Sequence, residues 1–270
     1  MVNIFGGNKE SIVQENSVEI EHMQEVEINS DIANIVFLTH DKKQIDISLE
    51  TFEDGPELQV NVVNQKLEIT AKVYRKKIGI FISSVKPSKL EIKLPRDFAD
   101  HYNVQSTAGN IKVTNLKFDT ANMKTAAGNI RFENIEAKRL DLESSAGNIK
   151  VENINSETLI VQSGTGNIDG NACNGDITAK TGAGNVGFKV NGEQHLEMTS
   201  GAGTITTYFT EPEKLNATVE VNAGIGSIKT DIPSLTNGKS QGNLSTVIGQ
   251  GENKFTFKTG VGSIRLFADK

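Results

Sequence analysis

The chain has 270 residues, enough to bury a sizeable core, yet only 6% are aromatic and Trp is absent, which argues against an enzyme packed around large rings. Its 25 glycines against 5 prolines point to many tight turns, and a single cysteine, Cys173, excludes an intrachain disulfide framework and a cysteine-clustered zinc site. The formal charge of -6 is uneven: residues 1–60 hold 13 acids and 3 bases, 61–100 hold 4 acids and 9 bases, and the rest nearly balances, so there is no basic footprint for nucleic acid.

Residues 1–17 read as a flexible amino-terminal segment. Met1–Gln14 lacks the basic start, apolar run and small-residue cleavage site of a secretory signal, and no stretch approaches the roughly 20 apolar residues of a membrane span. The sequence alone therefore predicts a cytoplasmic chain with no transmembrane segment. Residues 18–100 form a β-rich capping region continuous with the repeats beyond residue 100: VEINSDIANIVFL, KQIDISLE, ELQVNVV, QKLEITAKV, IGIFI and KLEIKLP all alternate apolar and polar residues with the period of a strand. Val26, Ile28, Ser30, Ala33, Asn34, Ile35 and Phe37 match those repeats, with Ala33 in place of their Gly. This reads as a degenerate first coil, followed by antiparallel hairpins that cover an otherwise unpaired edge.

From residue 101 one phrase recurs: STAGNIKV at Ser106, TAAGNIRF at Thr125 and SSAGNIKV at Ser144. Its Asn position is filled in turn by Asn110, Asn129, Asn148, Asn167, Asn185, Thr204, Ser227 and Ser263, with steps of 19, 19, 19, 18, 19, 23 and 36 residues. The preceding residue is always Gly: Gly109, Gly128, Gly147, Gly166, Gly184, Gly203, Gly226 and Gly262. The following residue is always Ile or Val. Apolar residues sit eight and six places upstream, and Ser or Thr four upstream in all but one repeat. Each repeat is thus strand, Gly turn, strand, corner.

A period of about 19 residues is too short for a βαβ unit, whose crossover alone takes about 10 to 12 residues. The pattern predicts an all-β fold, a β-solenoid of about eight coils with two strands per coil, stacked at about 4.8 Å into a rod roughly 35 Å long. Gly answers a positive φ or a close backbone approach at the turn, and the Asn amide can ladder to the next coil. The solenoid spans 101–270, with Pro233–Gly251, rich in Gly, Ser and Asn, as a mobile loop insertion.

The serial (S/T)xxGNI coils, the LEIKLP strand leading into them and the ending GQGENKFTFKTGVGSIRL resemble the bacterial DUF4097 family of adhesin-like proteins over roughly residues 18–270. The resemblance implies a β-solenoid-like repeat protein of the cell envelope or its stress responses, displayed at the surface. It carries no catalytic residues and no cofactor.

Candidate chemistry is sparse. Gly182, Gly184 and Gly187 spell G-x-G-x-x-G, but no helix follows, so the dinucleotide reading lacks its context. The turn position holds Asn, Thr or Ser rather than the Asp of a calcium β-roll, so no metal is expected. Cys173 falls six past the turn, in the slot of Leu116, Ile135 and Ile154, and reads as a small buried hydrophobe. His22, His40, His101 and His195 are scattered. The catalytic candidates are Glu133 and Glu152, which share one outward position on adjacent coils about 5 Å apart, near the roughly 5 to 5.5 Å of retaining glycosidase carboxylates. Lys112, Arg131 and Lys150 line the same face two places earlier, a candidate binding ladder that equally makes a charge-balanced sheet surface. Three functions are open to such a chain: an adhesin-like scaffold holding a protein or envelope glycan, a polysaccharide-active enzyme using Glu133 and Glu152, and an intracellular stress-response protein acting through its acidic 1–60 segment.

Overall fold

The structure is a computed structural model that describes residues 11–19, 23–74, 87–236, 239–240 and 242–269. Among the described residues the chain is all-β apart from two short 3-10 turns, Pro212–Lys214 and Pro233–Leu235. The repeats stack in parallel and in register, so equivalent letters face each other: Ile130 pairs with Ile111 on one side and Ile149 on the other, and Ile149 with Ile168. Each of these four side chains is at most 1% exposed, as period-two alternation requires of the inward letters.

The two faces of each coil meet at two corners of different construction. At one, the Gly–Asn bend interrupts the strand. At the other, strands such as Ile130–Ala146 and Ile149–Thr165 run on unbroken, which makes both faces one continuous 22-stranded sheet. A single left-handed residue turns that second corner: Asn115, Asn134 and Asn153 at φ 60°, 55° and 54°, then Ala172 at 52°. Asn accepts this region readily, whereas Ala gains nothing there to offset the crowding of its Cβ. The 18-residue step is absorbed by a bulge between Asn155 and Thr158, opposite Gly175.

Neighbouring coils on one face trade side-chain volume. Gly170 occupies the slot that Phe132 and Val151 fill in the coils before it, and the Phe188 ring takes the vacated space, so that a Cβ on Gly170 would lie 2.1 Å from that ring. Toward the ends aromatics thicken the core: Phe37 meets Tyr102 edge-on at 5.9 Å, and Phe209 stacks on Phe255 at 5.5 Å.

Chain order and stack order diverge at both ends. The degenerate coil is real, since Val26, Ile28 and Ser30 pair with Tyr102, Val104 and Ser106, and Ile35 and Phe37 with Ile111 and Val113. Its other side carries a further parallel turn, formed by Lys66–Lys72 and Ser88–Leu94, before the antiparallel cap. Antiparallel strands then close the rod: Glu57–Val63 against Lys66–Lys72, and Gln44–Thr51 against Ser88–Leu94, with Ile12–Glu19 outermost. At the opposite end the coil of Asn253–Val261 and Ile264–Ala268 does not lie last. It inserts between the coil of Leu196–Ala202 and Ile205–Phe209 and that of Ala217–Ile225 and Ile228–Thr230.

Two segments depart from expectation for the same reason, the need to pair an open edge. Residues 12–17, expected to be flexible, belong to the strand Ile12–Glu19. Within 233–251, expected to be a loop, Asn243–Ile248 is a strand antiparallel to Ala217–Ile225, and Lys239–Ser240 pairs with it in turn. Residues 1–10, the IGIFI stretch and His22 lie outside the described residues.

Candidate functional site

The repeated phrase is a hydrogen-bonding device. In each coil the turn residue's backbone N–H donates to the side-chain oxygen of the Asn one coil back: Asn110 to Asn34, Asn129 to Asn110, Asn148 to Asn129, Asn167 to Asn148 and Asn185 to Asn167, each at 2.8 Å, ending with Thr204 to Asn185 at 2.9 Å. The hydroxyl four places upstream donates to the Gly carbonyl of the previous coil, as Ser144 to Gly128 and Ser200 to Gly184 at 2.8 Å, and Ser163 to Gly147 at 2.9 Å. These bonds satisfy backbone groups that the bend removes from the ladder. A second Asn ladder runs along the opposite corner, where Asn134 donates to Asn115 at 2.8 Å and Asn153 to Asn134 at 3.0 Å. Its 19-residue spacing stands in the sequence but is masked by the louder Gly–Asn repeat.

The outward ladder is assembled as its spacing implied. The Arg131 guanidinium donates to Glu133 and to Glu152, both at 3.0 Å, and Lys150 reaches Glu152 at 3.1 Å. Hydrogen bonding to Arg131 holds the Glu133 carboxyl below the usual carboxylate range. For Glu133 this is opposite to the raised pKa that a glycosidic general acid needs, and the Arg131 bridge occupies both carboxylates. Lys112 has no ion-pair partner among the described residues. The next coil places Asp169 beside Lys150, and there burial raises the carboxyl's pKa.

Cys173 is 1% exposed, and burial pushes its thiol up to about 12, which suppresses the thiolate a nucleophile needs. His101 Nδ1 lies 2.8 Å from the Thr120 hydroxyl, and His40 sits 3.7 Å from Asp46. His195 is different. Its Nδ1 accepts the backbone N–H of Lys254 at 3.0 Å across 59 residues of sequence, while its own backbone N–H donates to Asp176 at 3.0 Å. It marks the point where the inserted final coil meets the regular stack. Around it opens a groove of about 520 Å³, floored by Thr256 and bordered by Asp176, Glu197, Glu220, Lys254 and Lys258. Sequence reading could not find this cluster, because it forms only where the final coil stacks out of chain order. No group of three or more metal-ligating side chains exists among the described residues, and no helix among them is long and apolar enough to cross a membrane.

A stacked parallel sheet wound as a β-solenoid, with its polar turn residues engaged in coil-to-coil bonding, defines a repeat-scaffold class of protein. The Toastrack DUF4097 model matches residues 23–266, and the chain belongs to that family. Among solved structures it is similar to a candidate adhesin from Bacteroides fragilis NCTC 9343, at 14% identity over 94% of this chain and 97% of that one, with a TM-score of 0.52. It is also similar to a candidate cell adhesion protein from Clostridium sporogenes ATCC 15579, at 15% identity over 96% and 100% of the two chains with a TM-score of 0.33. A candidate lipid binding protein from Parabacteroides distasonis ATCC 8503 shares 15% identity over 98% of each chain with a TM-score of 0.44. The curated proteins contain no match.

Proposed function

We propose that this chain is a non-enzymatic, adhesin-like scaffold of the cell envelope that presents a rigid sheet surface to a protein or glycan partner. The observation that carries the reading is the division of labour within the repeat: inward letters fill the core, turn letters commit their polar atoms to coil-to-coil bonds, and outward letters on the strands are left to face solvent. A repetitive outward face on a rigid rod offers evenly spaced contacts, which suits attachment better than turnover. The name of the similar Bacteroides fragilis structure, a candidate adhesin, supports it.

Protease treatment of intact cells carrying a carboxy-terminally tagged chain tests the proposal. Degradation without lysis is expected, and full protection until lysis would overturn surface display in favour of the intracellular alternative. The polysaccharide-cleaving alternative has the Arg131 bridge against it. Should Glu133→Gln with Glu152→Gln abolish a polysaccharide-cleaving activity of the unaltered protein, the non-enzymatic reading falls.

A further inference from the structure

The groove beside His195 lies on the outer face where the last three coils of the chain meet, stacked out of chain order. In the strand direction Lys254, Thr256 and Lys258 alternate outward on one strand, so the two lysine Cα atoms stand about 13 Å apart with Thr256 midway. Across the strands Thr256 pairs with Glu197 on one side and Glu220 on the other. Thr256 is only 9% exposed, because its short side chain lies below these longer neighbours, and that difference in length makes the depression.

The charges around it are not cancelled as they are around Arg131. Glu197 is paired with Lys180 at 2.7 Å, but Lys254, Lys258 and Glu220 have no ion-pair partner among the described residues. His195 accepts at Nδ1, which leaves its proton on Nε2 as a donor. The groove therefore offers two ammonium groups and an imidazole N–H to an anion, and the carboxylates of Glu220 and Asp176 with the Thr256 hydroxyl to groups that donate hydrogen bonds. A bare anion would meet repulsion from Glu220 and Asp176, and a neutral sugar would leave both lysines unused.

We propose that this groove binds an anionic polyol chain, one whose acidic groups reach Lys254 and Lys258 and whose hydroxyls donate to Glu220 and Thr256. This rests on the scaffold reading above and supplies its partner's chemistry. The acid can be the carboxylate of a uronate or the phosphodiester of a polyol phosphate, since both present anionic oxygens amid hydroxyls. At about 520 Å³ the groove has the volume of a small-ligand site, and its exposure to solvent sets an expected Kd of about 1 mM per binding unit.

The test is titration of the full 15N-labelled chain with digalacturonate and, separately, with a glycerol phosphate oligomer. Saturable shifts centred on His195, Lys254, Thr256 and Lys258 are expected with at least one of them, and which one responds identifies the acid. Lactose and inorganic phosphate should each bind at least about tenfold more weakly. Lys254→Met combined with Lys258→Met should weaken binding about tenfold or more while leaving the urea midpoint unchanged, as both side chains are exposed. No response to either probe, equal binding of inorganic phosphate, or undiminished binding by the double variant would overturn the assignment. A chain that is shaved from intact cells yet ignores both probes sinks the groove alone, whereas a chain protected from protease sinks the scaffold reading whatever the groove binds.

Discussion

Substituting Gly147 by Ala tests whether coil spacing is set by backbone contact at the turn. A Cβ built there lies 2.0 Å from the Gly128 carbonyl oxygen, 2.6 Å from its carbon and 3.0 Å from Ser144 Oγ. Reaching even 3.0 Å from the oxygen requires the two coils to part locally by about 1 Å. Four hydrogen bonds cross that gap: Ile130 N–H to Asn148 O at 3.0 Å, Gly128 N–H to Ala146 O at 3.1 Å, Asn148 N–H to Asn129 Oδ1 at 2.8 Å and Ser144 Oγ to Gly128 O at 2.8 Å. An added ångström stretches each beyond useful length, and at about 1 kcal/mol apiece the cost is about 4 kcal/mol. Ser145→Ala, two residues away and exposed, should change stability by no more than about 0.5 kcal/mol. Urea unfolding measures the difference, and hydrogen exchange locates it, because a repeat array can open locally rather than as one unit. Faster exchange confined to residues near Gly128 and Gly147 is expected. A Gly147→Ala protein within about 0.5 kcal/mol of the parent, with unchanged exchange, would refute the close-approach argument.

Ala172→Asn should raise stability by about 1 kcal/mol, since Asn tolerates the left-handed corner and would extend the Asn115–Asn134–Asn153 ladder; a lower melting temperature would count against it. The Cys173 thiol, buried and pushed up to about 12, should react with a disulfide reagent only as fast as its coil opens, so rapid labelling of the native chain would contradict the packing. Glu91, held low chiefly by its hydrogen bond to Lys89, and Glu133, held low by Arg131, have folded pKa values below their unfolded ones. Their stabilisation is therefore complete above the ordinary carboxylate pKa of about 4.5 and is lost as pH falls through the lower folded values. Urea midpoints should fall on acidification below about pH 4.5, less steeply in a Glu91→Gln, Glu133→Gln variant; an identical slope would remove these pairs from the account.

What could be read in advance divides along a physical line. A parallel ladder rewards like letters facing like letters, so strand, turn and register follow from the 19-residue period, down to the pairing of Val26 with Tyr102 in the degenerate coil. The same rule is indifferent to which coil comes next in the chain. Pairing Asn253–Val261 with Leu196–Ala202 joins residues 59 apart instead of the usual 19, and loop closure grows so slowly with length that the detour costs only about 1 kcal/mol. The insertion places the coil of Ala217–Ile225 outermost, beside the strand Asn243–Ile248 that pairs its open edge. Stack order is thus decided by how the ends are closed, and the repeat pattern holds no record of it.

That indifference bears directly on where a binding site can arise. Within the regular stack Glu133 faces Glu152, and the two close into a neutral lattice around Arg131. Where the final coil inserts, unlike letters face one another: Thr256 falls between Glu197 and Glu220, and His195 beside Lys254. Unequal side-chain lengths leave a depression, and unmatched charges leave groups unpaired, so shape and charge both break from the lattice at this junction. In a solenoid whose folding letters are so fully committed, the mismatch between non-consecutive coils is where a recognition surface can form without weakening the ladder beneath it.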